Sequence, residues 1–330
     1  MLGTPAAAPL RFSRHCKQFI PSAHLIRGES DALLAAEING VAHELLVEMI
    51  IPGDDIAMRT LLASGNFLAF PSFPHPTLPN FDILNNKWTF AALCSELSLP
   101  HPSTRLLTDR SLLAQEVQAC SPEHALIAKP LNLNGGQGIV VFDGKDTSER
   151  LQNISYRPIL LQNFIHGRDI CATVYARAGH VQTFIGYLID RKTFIAFHDA
   201  RIYADVQRLV KHLELDGVYN FDIRVRPDGS LYYLECNPRF FHKMDLSMVA
   251  GVNFVALGLH NSHAHPTVME SPIFVRLPLA ILRCAPWDLT KRDLKMGAYF
   301  MSDPLPYLIE KMRLHLLATG TSSLRCYRPA

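Results

Sequence analysis

The sequence lacks a strong charge of either sign, a long apolar run and any paired cysteine motif. Its 32 Lys and Arg residues nearly cancel 30 Asp and Glu, leaving a net charge of +2. Without a global field, nothing favours nucleic acid or an acidic membrane as a partner, and any anion must be held by local groups. No apolar stretch reaches the ~18–20 residues of a membrane helix. The run 272–284 is interrupted by Arg276, Pro278 and Arg283. The seven cysteines, Cys16, Cys94, Cys120, Cys171, Cys236, Cys284 and Cys326, are dispersed, with no CxxC and no zinc-like spacing to histidine. His260, His263 and His265 form a tight group ahead of Pro266, and they read as loop. Scattered thiols of odd number fit a reduced, cytoplasmic protein. Acidic residues are missing from the first 28 positions, which carry Arg11, Arg14, Lys17 and Arg27. Transit peptides share that bias, but SRHCKQFIP runs straight into a helical pattern and reads as part of the fold. No secretory leader is expected. Charged residues make up only 19% against 48% hydrophobic, which excludes a disordered chain and allows a large core.

What is present is an α/β pattern long enough for two or three domains. Residues 30–45 read as a helix capped by Ser30 or Asp31. Residues 45–52 read as a buried parallel strand, and 53–64 as a second helix, the βα joint of a doubly wound sheet. Four prolines make 71–81 irregular. A helix over 85–97 follows, with Asn85 as its N-cap and Phe90, Leu93 and Leu97 on one face. Strands are expected at 125–130, 138–142 and 158–165, with two more within 169–189. The amphipathic pattern of Ile202, Val206, Leu209, Val210 and Leu213 predicts a helix over 200–215. A hairpin with a Pro-Asp-Gly turn spans 217–240.

Three of these elements carry chemistry. In the last hairpin, polar Asn220, Asp222 and Arg224 alternate with Phe221, Ile223 and Val225, and the return strand brings Glu235 and Asn237 toward Asp222. Two carboxylates and an amide suit a hard cation such as Mg²⁺. On the hairpin alone, a solvated face balanced by Arg224 and Arg226 explains these residues equally well. The second element is KPLNLNGGQG (129–138), a hairpin tip whose glycines free backbone N–H groups for phosphate, with Lys129 as a mobile charge. It is no Walker loop, since GxxxxGK[ST] is absent. The third is LLQNFIHGRD (160–169), an extended segment able to offer backbone groups and a carboxylate.

The order of these elements resembles the ATP-grasp superfamily: a lysine at a helix start, a Lys-Pro strand with a glycine loop, QxFIxGxD, then NFDIRxxxDGxxYxLECNPRF. The resemblance covers about residues 85–255. The ending LECNPRF is similar to the carboxylase and carbamoyl phosphate synthetase branch. The implied fold class is α/β (α+β), an ATP-grasp body behind a small doubly wound domain that looks shortened at its N-terminus. The implied division is 1–79, 80–265 (glycine-loop part about 113–166, metal-binding core about 167–265) and a C-terminal segment 266–330.

The resemblance implies roles position by position. Lys87 and Lys129 match the phosphate-contacting lysines, and Asn134, Gly135, Gly136, Gln137 and Gly138 the loop over the phosphates. Gln162 stands where an acid commonly meets the adenine amino group. Asn163 and Ile165 match backbone contacts to adenine, and Asp169 the ribose-binding acid. Asp222, Glu235 and Asn237 match the magnesium ligands, with Mn²⁺ as an alternative ion. Arg239, with Lys129 the implied catalytic pair, matches the arginine that holds phosphate or an acyl phosphate. Cys236, between the metal ligands, reads as a small buried hydrophobe. Arg191, Lys192, His198, His242 and Lys243 are further candidates for substrate contact. The implied reaction joins a small carboxylate to an amine with ATP going to ADP, and a homodimer is compatible with it. A non-catalytic nucleotide-binding protein is one alternative. An ATP-grasp phosphotransferase or acid–thiol ligase is another, with His180, His198 and His242 as the residues to check for phosphohistidine.

Overall fold

A computed structural model describes residues 1–22, 24–27, 31–131, 136–260 and 271–320. Its strands are β1 (Leu2–Gly3), β2 (Ile20–Pro21), β3 (Thr104–Leu107), β4 (Leu126–Lys129), β5 (Val140–Phe142), β6 (Ile159–Asn163), β7 (Arg168–Arg177), β8 (His180–Asp190), β9 (Thr193–Phe197), β10 (Gly217–Val225), β11 (Leu231–Asn237) and β12 (Ile273–Arg276). The helices are α1 (His24–Arg27), α2 (Asp31–Glu44), α3 (Asp55–Ala63), α4 (Leu78–Asn85), α5 (Lys87–Glu96), α6 (Arg110–Glu116), α7 (Thr147–Gln152), α8 (Ala200–His212), α9 (Met244–Val249), α10 (Phe254–His260), α11 (Pro278–Ile281), α12 (Lys291–Ser302) and α13 (Leu305–Gly320). The chain divides into two compact units. One takes 1–48, 63–71 and the described residues from 276 onward; the other takes 49–62 and 72–275.

The larger unit holds both main sheets. The first has the order β11-β10-β7-β8-β9-β12, and the second the order β3-β6-β4-β5. From β11 through β9, each strand runs antiparallel to its neighbour. Helix α8 packs on the six-stranded sheet through Ile202, Val206, Leu209 and Val210, the apolar stripe read from the sequence. Asp199 starts it by accepting hydrogen bonds from the Arg201 and Ile202 N–H groups. Phe90, Leu93 and Cys94 of α5 close the same core against Tyr219, Phe221 and Tyr233. The smaller sheet has its own core of Leu107, Leu113, Ala128, Phe142, Ile159 and Leu161. Strand alternation follows: Phe221 and Ile223 face α8, so Asn220 and Asp222 face the other side.

Several expectations need correction. Asn86, not Asn85, caps α5, with its side chain accepting from Trp88 N–H at 2.9 Å and Thr89 N–H at 3.4 Å. Asn85 instead ends α4. Residues 45–52 form no strand beyond a single parallel bridge, Ile50 to Ser72. Leu46 sits at φ +52° and is 86% exposed, in the turn that ends α2. An apolar run becomes a strand only where a neighbour pairs with it, and no ladder forms here. Of the doubly wound domain expected ahead of residue 80, the described residues form the short parallel pair β1–β2 with helices. Strands β3 and β9 were not anticipated.

One glycine fixes the link between the sheets. A Cβ added at Gly167, between β6 and β7, would lie 2.2 Å from the Val225 carbonyl oxygen at the end of β10. Backbone cannot yield as a flexible side chain does, so Gly167→Ala is expected to cost about 1–3 kcal/mol. Urea unfolding checks this, and an unchanged midpoint would contradict the close approach.

Candidate active site

The site forms along the β10–β11 ladder, beside the start of α5 and the end of β4. Antiparallel register sets Asp222 directly opposite Glu235 and Asn220 opposite Asn237, with an irregularity after Asp222 that accommodates Leu234. Lys87 is the first residue of α5, so its side chain leaves the helix at the Asn86 cap. Its ammonium lies 3.1 Å from Glu235 Oε2. Lys129, the last residue of β4, is only 7% exposed, and Lys87 only 6%. Two ammonium groups and two carboxylates thus share one desolvated region.

The electrostatics follow from that crowding. Burial pushes the Lys129 ammonium down to about 8; Glu235 opposes this shift, and Lys87 adds to it. Asp222 is pushed up to about 7, first by burial and then by the facing Glu235. For Glu235, burial works upward, but the Lys87 ammonium prevails and holds its carboxyl below the usual range. Two facing acids with one driven toward protonation are a pair that a divalent cation would relieve. Asn237 Oδ1, two residues beyond Glu235, accepts from Arg239 Nη2 at 3.0 Å. Among the described residues no three His, Cys, Asp or Glu side chains are grouped to hold a metal. Two acids and an amide still fit Mg²⁺, which completes its shell with water and phosphate oxygens.

Arg239 also donates to the Phe240 carbonyl at 3.2 Å, and its Nε approaches Asp55 Oδ1 at 3.9 Å. Asp55 begins α3 and lines a cleft of about 680 Å³ with Arg59, Thr60, Asp82, Asn86 and Thr89. Sequence reading missed Asp55, because its link to Arg239 spans 184 positions and leaves no local pattern.

A narrow slot lies along β6, lined by Ile127, Lys129, Gln162, Phe164, Ile165 and Leu234. Gln162 is 2% exposed, and its amide orientation can be deduced. Thr104 spends its hydroxyl proton on the Pro102 carbonyl (2.7 Å), so it must accept from Gln162 Nε2 (2.9 Å). Gln162 Oε1 is left buried with no partner among the described residues. The Asn163 N–H donates to the Ser103 carbonyl at 3.1 Å, and the Ile165 carbonyl accepts from Arg224 Nη1 at 2.7 Å. Those two backbone groups are therefore already engaged. Arg224 Nε also meets the exposed Asp169 carboxylate at 2.5 Å.

Gly136 and Gly138 adopt φ +76° and +70°, the left-handed turn that glycine permits at the tip between β4 and β5. Gln137 is exposed there, and the Tyr156 hydroxyl donates to the Gly138 carbonyl at 2.7 Å. Asn134 and Gly135 lie outside the described residues, as do His263 and His265. Other candidates are not gathered with the carboxylates. Arg191 and Lys192 form the exposed turn between β8 and β9. His198 packs edge-on against Phe184, 5.3 Å between centroids, and beside Tyr203 on the α8 side of the sheet. Cys236 is buried, and burial first of all pushes its thiol up, as befits a small hydrophobe rather than a nucleophile.

Lys129 gives the site a pH signature in protein free of metal and nucleotide. An ordinary lysine in the unfolded chain keeps its proton to about 10.5, whereas the folded group releases it near 8. Between those values the unfolded state binds more protons, so stability rises with pH there, and below 8 the burial cost is fully felt. Wild type is therefore expected to gain about 3 kcal/mol relative to Lys129→Met from pH 8 to 10.5. Urea midpoints across that range check it, and a constant difference would contradict it.

Residues 155–278 match the family model described as ATP-grasp in the biosynthetic pathway with Ter operon. No curated protein matches the chain in sequence. Among solved structures, an L-amino acid ligase from Bacillus licheniformis aligns with a TM-score of 0.57 at 17% identity, over 74% of this chain and 62% of its own. N5-carboxyaminoimidazole synthetase from Staphylococcus aureus, complexed with ADP, aligns with 0.62 at 13% identity, over 82% and 73%. Biotin carboxylase from Campylobacter jejuni, in a β,γ-ATP complex, aligns with 0.59 at 15% identity, over 77% and 61%. The chain thus spans less than two thirds of the first of these, at identities where the likeness speaks for the fold. The likeness in fold and the family match across residues 155–278 show an ATP-grasp fold.

Proposed function

We propose that the chain is an ATP-dependent ligase that activates a small carboxylate as an acyl phosphate for attack by an amine. The observation that carries this reading is the cluster of the buried Lys87 and Lys129 with the half-buried Asp222 and Glu235, beside the narrow slot that Lys129 helps to line. Phosphoryl transfer needs positive charge and positioning in a dry site more than it needs covalent chemistry. Lys87, Lys129 and Arg239 supply the charge. Asp222, Glu235 and Asn237 would hold Mg²⁺, or Mn²⁺ in its place, which when bound neutralises phosphate charge. The orphan Gln162 Oε1 is an acceptor, the partner that the exocyclic amino group of adenine requires. Asp169 would meet the ribose. Gly136, Gln137 and Gly138, with Asn134 and Gly135, would close over the phosphates and keep water from the acyl phosphate.

The proposed chemistry has two displacements. The carboxylate oxygen attacks the γ-phosphorus, the bond to the β-phosphate oxygen breaks, and ADP leaves. The amine then attacks the acyl carbon, and inorganic phosphate leaves as the amine gives up a proton. Residues 80–265 form the proposed catalytic body, with small carboxylate and amine substrates as its partners. The activities of the ligase and the synthetase among the fold neighbours support a reaction of this class, while sequence identities of 17% and 13% leave the substrate open.

A screen of carboxylate and amine pools for ADP release, with mass spectrometry of products, tests the proposal. Asp222→Ala and Glu235→Ala are expected to lower acceptor-dependent ADP release by at least about a hundredfold, with circular dichroism unchanged. Undiminished turnover in either variant would refute the metal assignment.

A further inference from the structure

Behind Asp222 lies a hydrogen-bonded chain that no step above uses. Asn220 precedes Asp222 by two residues on β10, so both side chains leave the same face of the sheet. Asn220 is 5% exposed, and a buried amide is costly unless both halves are satisfied. Here both are. Its Oδ1 accepts from Thr173 Oγ1 at 2.8 Å and from the Tyr187 hydroxyl at 3.0 Å, and its Nδ2 donates to Asp222 Oδ1 at 3.1 Å. Cys171 Sγ donates to the same Asp222 oxygen at 3.2 Å.

The orientation of this amide is dictated rather than chosen. In the ionised form that a metal ligand requires, the Asp222 carboxylate only accepts, so the nitrogen of Asn220 faces it and the oxygen faces the two hydroxyls. Tyr187 cannot drift from its end of the chain, because its ring stacks on Phe194 and Phe241 at centroid distances of 5.0 and 5.6 Å. Neighbouring strands anchor the donors: Thr173 and Cys171 on β7, and Tyr187 on β8. Both donors to Asp222 land on Oδ1, which makes Oδ2 the oxygen outside this network.

We propose that Asn220 is a positioning residue: held by Thr173 and Tyr187, it locks the Asp222 carboxylate in one rotamer and so presets the divalent-cation site. This rests on the assignment of Asp222 as a metal ligand. Partners that orient a ligating carboxylate typically change metal affinity 10–100-fold when removed.

Titration of the full-length protein with Mn²⁺ in the presence of ADP, followed by electron paramagnetic resonance, tests the proposal without any turnover assay. Asn220→Ala is expected to raise the Mn²⁺ dissociation constant 10–100-fold, and Tyr187→Phe to raise it by less. Asp222→Asn serves as the reference and should abolish binding. Loss of binding in Asp222→Asn with Mn²⁺ affinity unchanged in Asn220→Ala would overturn the positioning role and leave the ligand assignment standing. Unchanged affinity in Asp222→Asn would overturn both. Should Asn220→Ala fail to fold, unchanged affinity in Tyr187→Phe, against loss in Asp222→Asn, would overturn the role instead.

Discussion

Two lysines buried beside two carboxylates constrain everything around them in the larger unit. Lys87 and Lys129 are each less than a tenth exposed, and a buried charge without a partner is strongly destabilising. Glu235 meets Lys87 directly and opposes the burial penalty on Lys129. Yet Glu235 also faces Asp222 across the β10–β11 register, where the second acid is driven toward its protonated form. Were both acids ionised, the two facing carboxylates would repel each other. A divalent cation held by Asp222 and Glu235 would relieve that repulsion, and a polyphosphate would offer negative charge to Lys87 and Lys129. The charges of this cluster are thus complementary to the proposed ligand.

The rest of this unit holds those groups in place. Core packing by α8 on one face of the six-stranded sheet frees the opposite face for polar side chains. Helix α5 delivers Lys87 from its capped first turn, and β4 delivers Lys129 from its last position. Along the slot, Gln162 keeps an unsatisfied acceptor inside the small sheet, at a cost of the kind that functional sites tolerate. Asn220 shows the opposite economy, with every polar atom of its amide engaged to steady one carboxylate.

Much of this was legible in the chain itself, for a physical reason. Local periodicity wrote α8, the two hairpins and the Asp222–Glu235 apposition, because register and amphipathic stripes follow from nearby residues. Where two adjacent asparagines both could cap α5, the choice of Asn86 depended on where α4 ended, and composition does not carry that. Residues 45–52 have strand-like composition, but strands need neighbours, and the one available contact is a single bridge to Ser72. The short strands β3 and β9 pair with segments far along the chain or across a tight turn, so their sequences look like loop. Asp55 beside Arg239 and the orphan oxygen of Gln162 are tertiary facts with no local signature. Asn220 was visible as a polar residue on a strand, but only three-dimensional packing reveals that both ends of its amide are engaged.

Calorimetric titration with a non-hydrolysable ATP analogue, with and without Mg²⁺, bears most directly on the claim that this charged cluster is a metal–nucleotide site. The expected result is one nucleotide per chain, bound at least about tenfold more tightly with Mg²⁺ than with a chelator, because the cation, held by Asp222 and Glu235, would neutralise phosphate charge. Absence of binding, or equal binding with and without the metal, would contradict it.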